Sequence, residues 1–201
     1  MIIVVTDDKQ KIIATAEQEA AINAILNQRR LSDVEVGETF KIGNYEFIRF
    51  PSNGDNVIAG MKTCIFNSEF GTNNNYANSY IASKLEKEVL PEIEGLVGAE
   101  NVCSASLNLL SLDGLDDYGR YSTKIYLPTF DFYRNNVKIF DKYKQDCWWW
   151  LSTSYSTKKH LGDKSVCCVS PTGYVDSPNC GDFYYFGVRP FCIFNPNIFV
   201  S

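Results

Sequence analysis

Trp148, Trp149 and Trp150 stand in a row, and this run constrains the fold more than any other stretch of the sequence. Successive side chains of an extended strand point to opposite faces. The segment from Cys147 to Leu151 therefore carries large apolar surface on both faces, and both must be covered. Such a strand belongs in the middle of a sheet with packing on each side, which assigns Trp149 and Trp150 to the core.

Length and charge narrow the field further. At roughly 150 residues per domain, 201 residues make one domain with a short arm. The formal net charge is −5, from 19 Lys and Arg against 24 Asp and Glu, and this opposes a phosphate-tracking surface, so nucleic acid is not an expected partner. No apolar run is long enough for a membrane span. Met1 to Asp8 combines a short apolar run with no basic segment, which reads as no secretory signal, and a reducing cytosol is expected. The seven cysteines form no C-x-x-C pair and His160 is the single histidine, so zinc spacings cannot be assembled. Neither a metal nor a cofactor is expected, and the thiols read as small buried hydrophobes.

Along the chain, residues 1–32 read as an arm: a strand at Ile2 to Val5, a polar turn, a second strand near Lys11 to Ala14, and a helix capped by Thr15. In that helix Ile22, Ile25, Leu26 and Arg29 share one face. Residues 33–201 read as the domain. Gly43-Asn44 between Phe40-Lys41-Ile42 and Tyr45 to Ile48 signals a two-residue hairpin. Asn78 or Ser79 caps a helix with Ile81, Leu85 and Val89 on one stripe until Pro91 interrupts it. Asp113 to Gly119 is a turn-rich loop without the calcium-loop spacing. Residues 123–127 read as a strand, Thr129 caps a short helix, and strand and long loop follow from Cys147. Strands lie at both ends with helices between them and no βαβ repeat, which predicts an α+β fold with a twisted antiparallel sheet. In it the tryptophan strand is central and the strand from Val188 to Ile193 pairs near the chain start. The sequence contains no dinucleotide fingerprint, P-loop, G-x-S-x-G or H-E-x-x-H string.

Four segments in order carry a resemblance: Asn75 to Ile81 with Leu85, Ile125 to Arg134, Trp148-Trp149-Trp150-Leu151-Ser152, and Gly187-Val188-Arg189-Pro190-Phe191. Together they resemble the DUF6273 family of bacterial and phage proteins over roughly residues 35–195. The resemblance implies a C-type-lectin-like domain. Ser152 stands where the family has Arg, and Phe191 where it often has Ala. The calcium-dependent sugar signature of true C-type lectins is missing around Ser177-Pro178-Asn179.

The sequence thus assigns structural roles to Trp149, Trp150, Gly187 and Arg189. Ligand contact is assigned to loops rich in tyrosine and small polar residues, the composition of an adaptable binding surface: Tyr155, His160, Tyr174, Asp176, Asn179, Tyr184 and Tyr185. These are expected to share one exposed face over residues 153–185, away from the arm. The expected function is non-enzymatic: a bacteriophage or prophage virion protein, structural or adhesive, made in the host cytoplasm. The arm would join it to other virion proteins, the loops would meet a host surface glycan or protein, and a homo-oligomer would multiply the contacts. The alternatives are a bacterial surface recognition protein, or an enzyme of the formylglycine-generating type drawing on Cys167-Cys168 and Cys180 with His160 as its only imidazole.

Overall fold

The structure, a computed structural model, describes residues 3–5, 11–13, 15, 17, 28–180 and 186–201. The chain opens with the expected hairpin, β1 (Ile3–Val5) antiparallel to β2 (Lys11–Ile13). Of the helix expected after Thr15, Glu17 is described and is helical, while Ile22, Ile25 and Leu26 lie outside the described residues. Arg29 is not helical. It forms β3 (Arg29–Arg30), which pairs antiparallel with Phe199–Val200 at the other end of the chain, and its guanidinium meets Glu38 at 3.1 Å. The helical spacing misled at Arg29 because a partner so distant in sequence leaves no local signal.

The hairpin at Gly43-Asn44 forms as expected: β4 (Thr39–Ile42) pairs with β5 (Tyr45–Phe50), and Gly43 takes the positive φ of 56° that favours glycine. β6 (Val57–Met61) and β7 (Phe66–Ser68) follow. The Ser79 hydroxyl then accepts the Ala82 N–H at 3.0 Å and starts α1 (Tyr80–Lys84). Pro91 does not end this helix. The backbone widens into a π-turn over Leu85–Val89 and continues as α2 (Leu90–Val97), with the proline in the first turn of α2. Widening relieves the clash and the lost hydrogen bond that a proline imposes on a regular helix.

Next come β8 (Val102–Cys103), then β9 (Ala105–Asn108) and β10 (Arg120–Thr123), which pair with each other, and β11 (Ile125–Tyr126). Thr129 caps α3 (Phe130–Asn135) by accepting the Phe132 N–H, and α4 (Val137–Lys142) follows. The remainder is β12 (Trp149–Ser154), β13 (Val166–Val169), β14 (Val175–Asp176), β15 (Phe186–Val188), β16 (Phe191–Phe194) and β17 (Phe199–Val200).

These strands build an α+β structure with two main sheets. One has the order β11-β16-β6-β5-β4, with β8 also on β16, and the other the order β14-β13-β12-β15-β7. Pairing is antiparallel except between β12 and β15. The tryptophan strand is central, and all six of its residues are buried. Its two faces are both covered: Trp150 packs on Phe70 and Phe186, while Trp149 stacks on Phe140 at 5.6 Å. Phe140 joins Phe50, Phe132 and Phe191 in an aromatic cluster that ties β5 and β16 of one sheet to α3 and α4.

The Gly187-Val188-Arg189-Pro190-Phe191 segment is the crossover between the sheets, leaving β15 and entering β16. The expectation that this last long strand pairs near the chain start is corrected: β16 lies between β6 and β11, and it is β17 that pairs with β3 at Arg29–Arg30. Gly187 and Arg189 are buried. Arg189 is 1% exposed, donates from Nε to Met61 O at 2.7 Å, and lies over the rings of Phe140 and Trp149.

Candidate functional site

β12 leaves the sheet at Ser154, and two loops meet there. Residues 109–119 cross the strand end through Leu112 N–H to Ser154 O at 2.8 Å and Asp113 N–H to Tyr155 O at 3.3 Å. Residues 155–165 run beside them and return to the sheet, where Tyr155 N–H bonds Ser165 O at 2.9 Å. Side chains then staple one loop to the other. The Asp113 carboxylate accepts hydrogen bonds from Ser111 (2.5 Å) and Ser156 (2.7 Å), and His160 Nδ1 lies 3.0 Å from it. Asp117 accepts the Thr157 hydroxyl at 2.5 Å and pairs with Lys159. Beneath both loops the buried Asn74 donates to Ser156 O and Ser165 O and accepts the Tyr118 hydroxyl at 2.6 Å.

This hydrogen bonding sets the electrostatics. The bonds from Ser111 and Ser156, with a further one from His160, push the Asp113 carboxyl down to about 2. The Lys159 ammonium, followed by the Thr157 hydroxyl, lowers Asp117, which in turn raises Lys159. Two of the three carboxylates of the turn-rich loop, Asp113 and Asp117, are thus engaged in fastening. Among the described residues no group of three or more His, Cys, Asp and Glu side chains is placed to hold a metal ion. Nor is Asp113, Ser156 and His160 a nucleophile relay. Serine and imidazole both face the same carboxylate oxygen, whereas a serine nucleophile must hydrogen-bond to the imidazole that serves as its base.

Among the exposed polar side chains of Lys158, Lys159 and His160, the stapled loops also expose apolar and aromatic surface: Tyr155 is 40% exposed and Leu161 64%, with Leu112 also exposed. A groove of about 410 Å³ adjoins them, lined by Leu110, Leu112, Phe130, Asp131, Arg134 and Thr153 among others. Thr153 of β12 holds this wall in place by accepting the Phe130 N–H at 2.9 Å. The sequence reading missed the groove and its leucines. The signal for it was Leu109-Leu110-Ser111-Leu112 running into a glycine- and aspartate-rich turn, apolar residues where a solvated loop has little use for them.

The residues assigned to ligand contact fall into separate places. Tyr155, His160 and Asn179 gather at the end of β12, where Asn179 bridges Ser165. Tyr174 sits in the turn between β13 and β14, at the opposite end of β12, with its ring edge-on to Trp148. Asp176 lies between, exposed on the edge strand β14. Tyr184 and Tyr185 lie outside the described residues. Among the described residues the five do not form a single face, because antiparallel strands return the chain to alternate ends. Cys167, Cys168 and Cys180 are buried, and burial pushes the Cys167 and Cys168 thiols up to about 12. With burial as the first cause and no cation among the others, thiols so placed are poor nucleophiles toward an outside substrate.

The sequence pattern described as "Domain of unknown function (DUF6273)" matches residues 44–196. The chain belongs to the DUF6273 family. The match takes in β5 to β16, and so all of one main sheet and all but β4 of the other, with the stapled loops and the groove, and leaves β1 to β4 and β17 outside. Comparison of this DUF6273 chain with curated proteins, and with solved structures, finds no match.

Proposed function

We propose that this DUF6273 chain is a non-catalytic recognition protein of a bacteriophage or prophage particle, whose C-type-lectin-like domain meets a host surface or a neighbouring virion protein through the platform at the end of β12. The observation that carries the reading is the stapling of that platform. Loops held by Asp113, Asp117 and Asn74 lose little freedom on binding, so exposed side chains such as Tyr155, Leu112 and Leu161 contribute more of their contact energy to affinity. Tyrosine adds rigid area with a hydrogen-bonding tip. The lectin-like reading is supported by the antiparallel pairing of β17 with β3, which precedes the first main sheet, and by long loops hung between β12 and β15 of one sheet. The first residues, with the β1–β2 hairpin, would fasten the protein to other virion components, and several copies in one particle would convert weak contacts into avidity. Purified particles from induced host cells, probed with an antibody to this chain, are expected to carry it at a fixed copy number. Particles lacking it, with the protein free in the lysate, would contradict the virion assignment.

A further inference from the structure

All seven cysteines lie among the described residues and none is in a disulfide. Cys64 and Cys147 differ from the other five in how their sulfurs are held. Cys64 precedes β7 and Cys147 precedes β12, the strands at the edge and centre of one sheet, with β15 between them. On β15 the residue facing both is Gly187. A methyl carbon placed there would lie 2.5 Å from Cys64 Sγ and 2.9 Å from Cys147 Sγ, so both sulfurs converge on the space that the missing side chain leaves open.

The backbone around the two thiols is fixed independently. Gln145 accepts the Cys64 N–H at 2.8 Å and donates to Lys62 O and Tyr143 O, each at 2.9 Å. This one side chain clamps the segment entering β7 to the segment entering β12. Both cysteines are half-buried, whereas Cys167, Cys168, Cys180 and Cys192 are buried in the core.

We propose that Cys64 and Cys147 form a reversible disulfide, a redox modification site that locks the entry of β7 to the entry of β12. The oxidant class is a small disulfide such as glutathione disulfide. The Cys147 thiolate attacks one sulfur of glutathione disulfide and expels one glutathione thiolate, leaving a mixed disulfide on Cys147. Cys64, deprotonated in its turn, attacks the Cys147 sulfur and expels the second glutathione. Two protein thiols are oxidised by two electrons, one glutathione disulfide is reduced to two glutathiones, and the protons pass to the leaving thiolates. Burial, with the facing Cys147 thiol, raises Cys64, while the nearby Arg189 guanidinium acts in the opposite direction. Cys64 is for that reason the second sulfur to react.

The test is to incubate the native protein with glutathione disulfide, block remaining thiols, and map peptides, while a parallel sample is denatured and its thiols counted. The expected count falls from seven to five, with a Cys64–Cys147 cross-linked peptide, and the apparent Tm rises by roughly 5–10 °C for a bond closing so long a loop. C64S and C147S should each show six thiols under reducing conditions and lose this cross-link and the Tm rise under oxidising ones. Retention of all seven thiols, stable glutathione adducts that do not resolve, or pairing through any other cysteine would overturn the proposal.

Discussion

Asp113 shows how a single side chain sets the platform's conformation. Its carboxyl is lowered from 3.8 to about 2 by the hydroxyls of Ser111 and Ser156 and by His160. A carboxyl depressed on folding stabilises the native state above its unfolded pKa, and that contribution is lost as pH falls through the folded value. The stability difference between wild type and D113N is therefore expected to shrink as pH falls from about 4 to about 2. Chemical denaturation at several pH values would measure it, and a difference independent of pH down to pH 2 would contradict the assignment. Truncation is a harsher change. D113A leaves the Ser156 hydroxyl, buried at 1% exposure, without its acceptor, at a cost of about 1–3 kcal/mol.

Among the elements, the β6–β16 pair places Gly60 opposite Phe191, and a methyl group on Gly60 would meet the Phe191 ring at 2.2 Å. That ring belongs to the aromatic cluster and has nowhere to retreat. G60A is expected to destabilise the protein by about 1–3 kcal/mol through overpacking, read as a lower denaturation midpoint. An unchanged midpoint would show that the cluster is loosely packed. Elements of this kind were legible in the sequence where their cause is local. The Gly43 turn, the caps at Ser79 and Thr129 and the two-faced tryptophan strand each depend on near neighbours, and each is present. Most of what escaped has distant causes. Arg29 joins a strand at the far end of the chain, and Asp113 finds Ser156 and His160 across separations of 43 and 47 residues; only Pro91, absorbed by the π-turn just before it, escaped with a local cause. The candidate site was legible only in part for the same reason: loop composition marked Tyr155 and His160 but held no information on which end of the sheet each tyrosine would reach.

For the molecule as a whole, two sheets share the α3–α4 aromatic core, and the crossover at Arg189-Pro190 joins them with a buried guanidinium bonded to Met61 O. β17 returns to pair with β3 at Arg29–Arg30, and the stapled platform stands where β12 and α3 hold it. Function is read from that site rather than from the fold. The most direct test is the binding of purified protein to envelopes of the host bacterium, comparing wild type, the platform variant L112A/Y155A/L161A, and Y174A at the other end of the sheet, each first shown to be folded. The expected result is at least about a tenfold loss of affinity for the platform variant, about 1.4 kcal/mol or more, with Y174A close to wild type. Undiminished binding by the platform variant together with loss in Y174A would contradict the account.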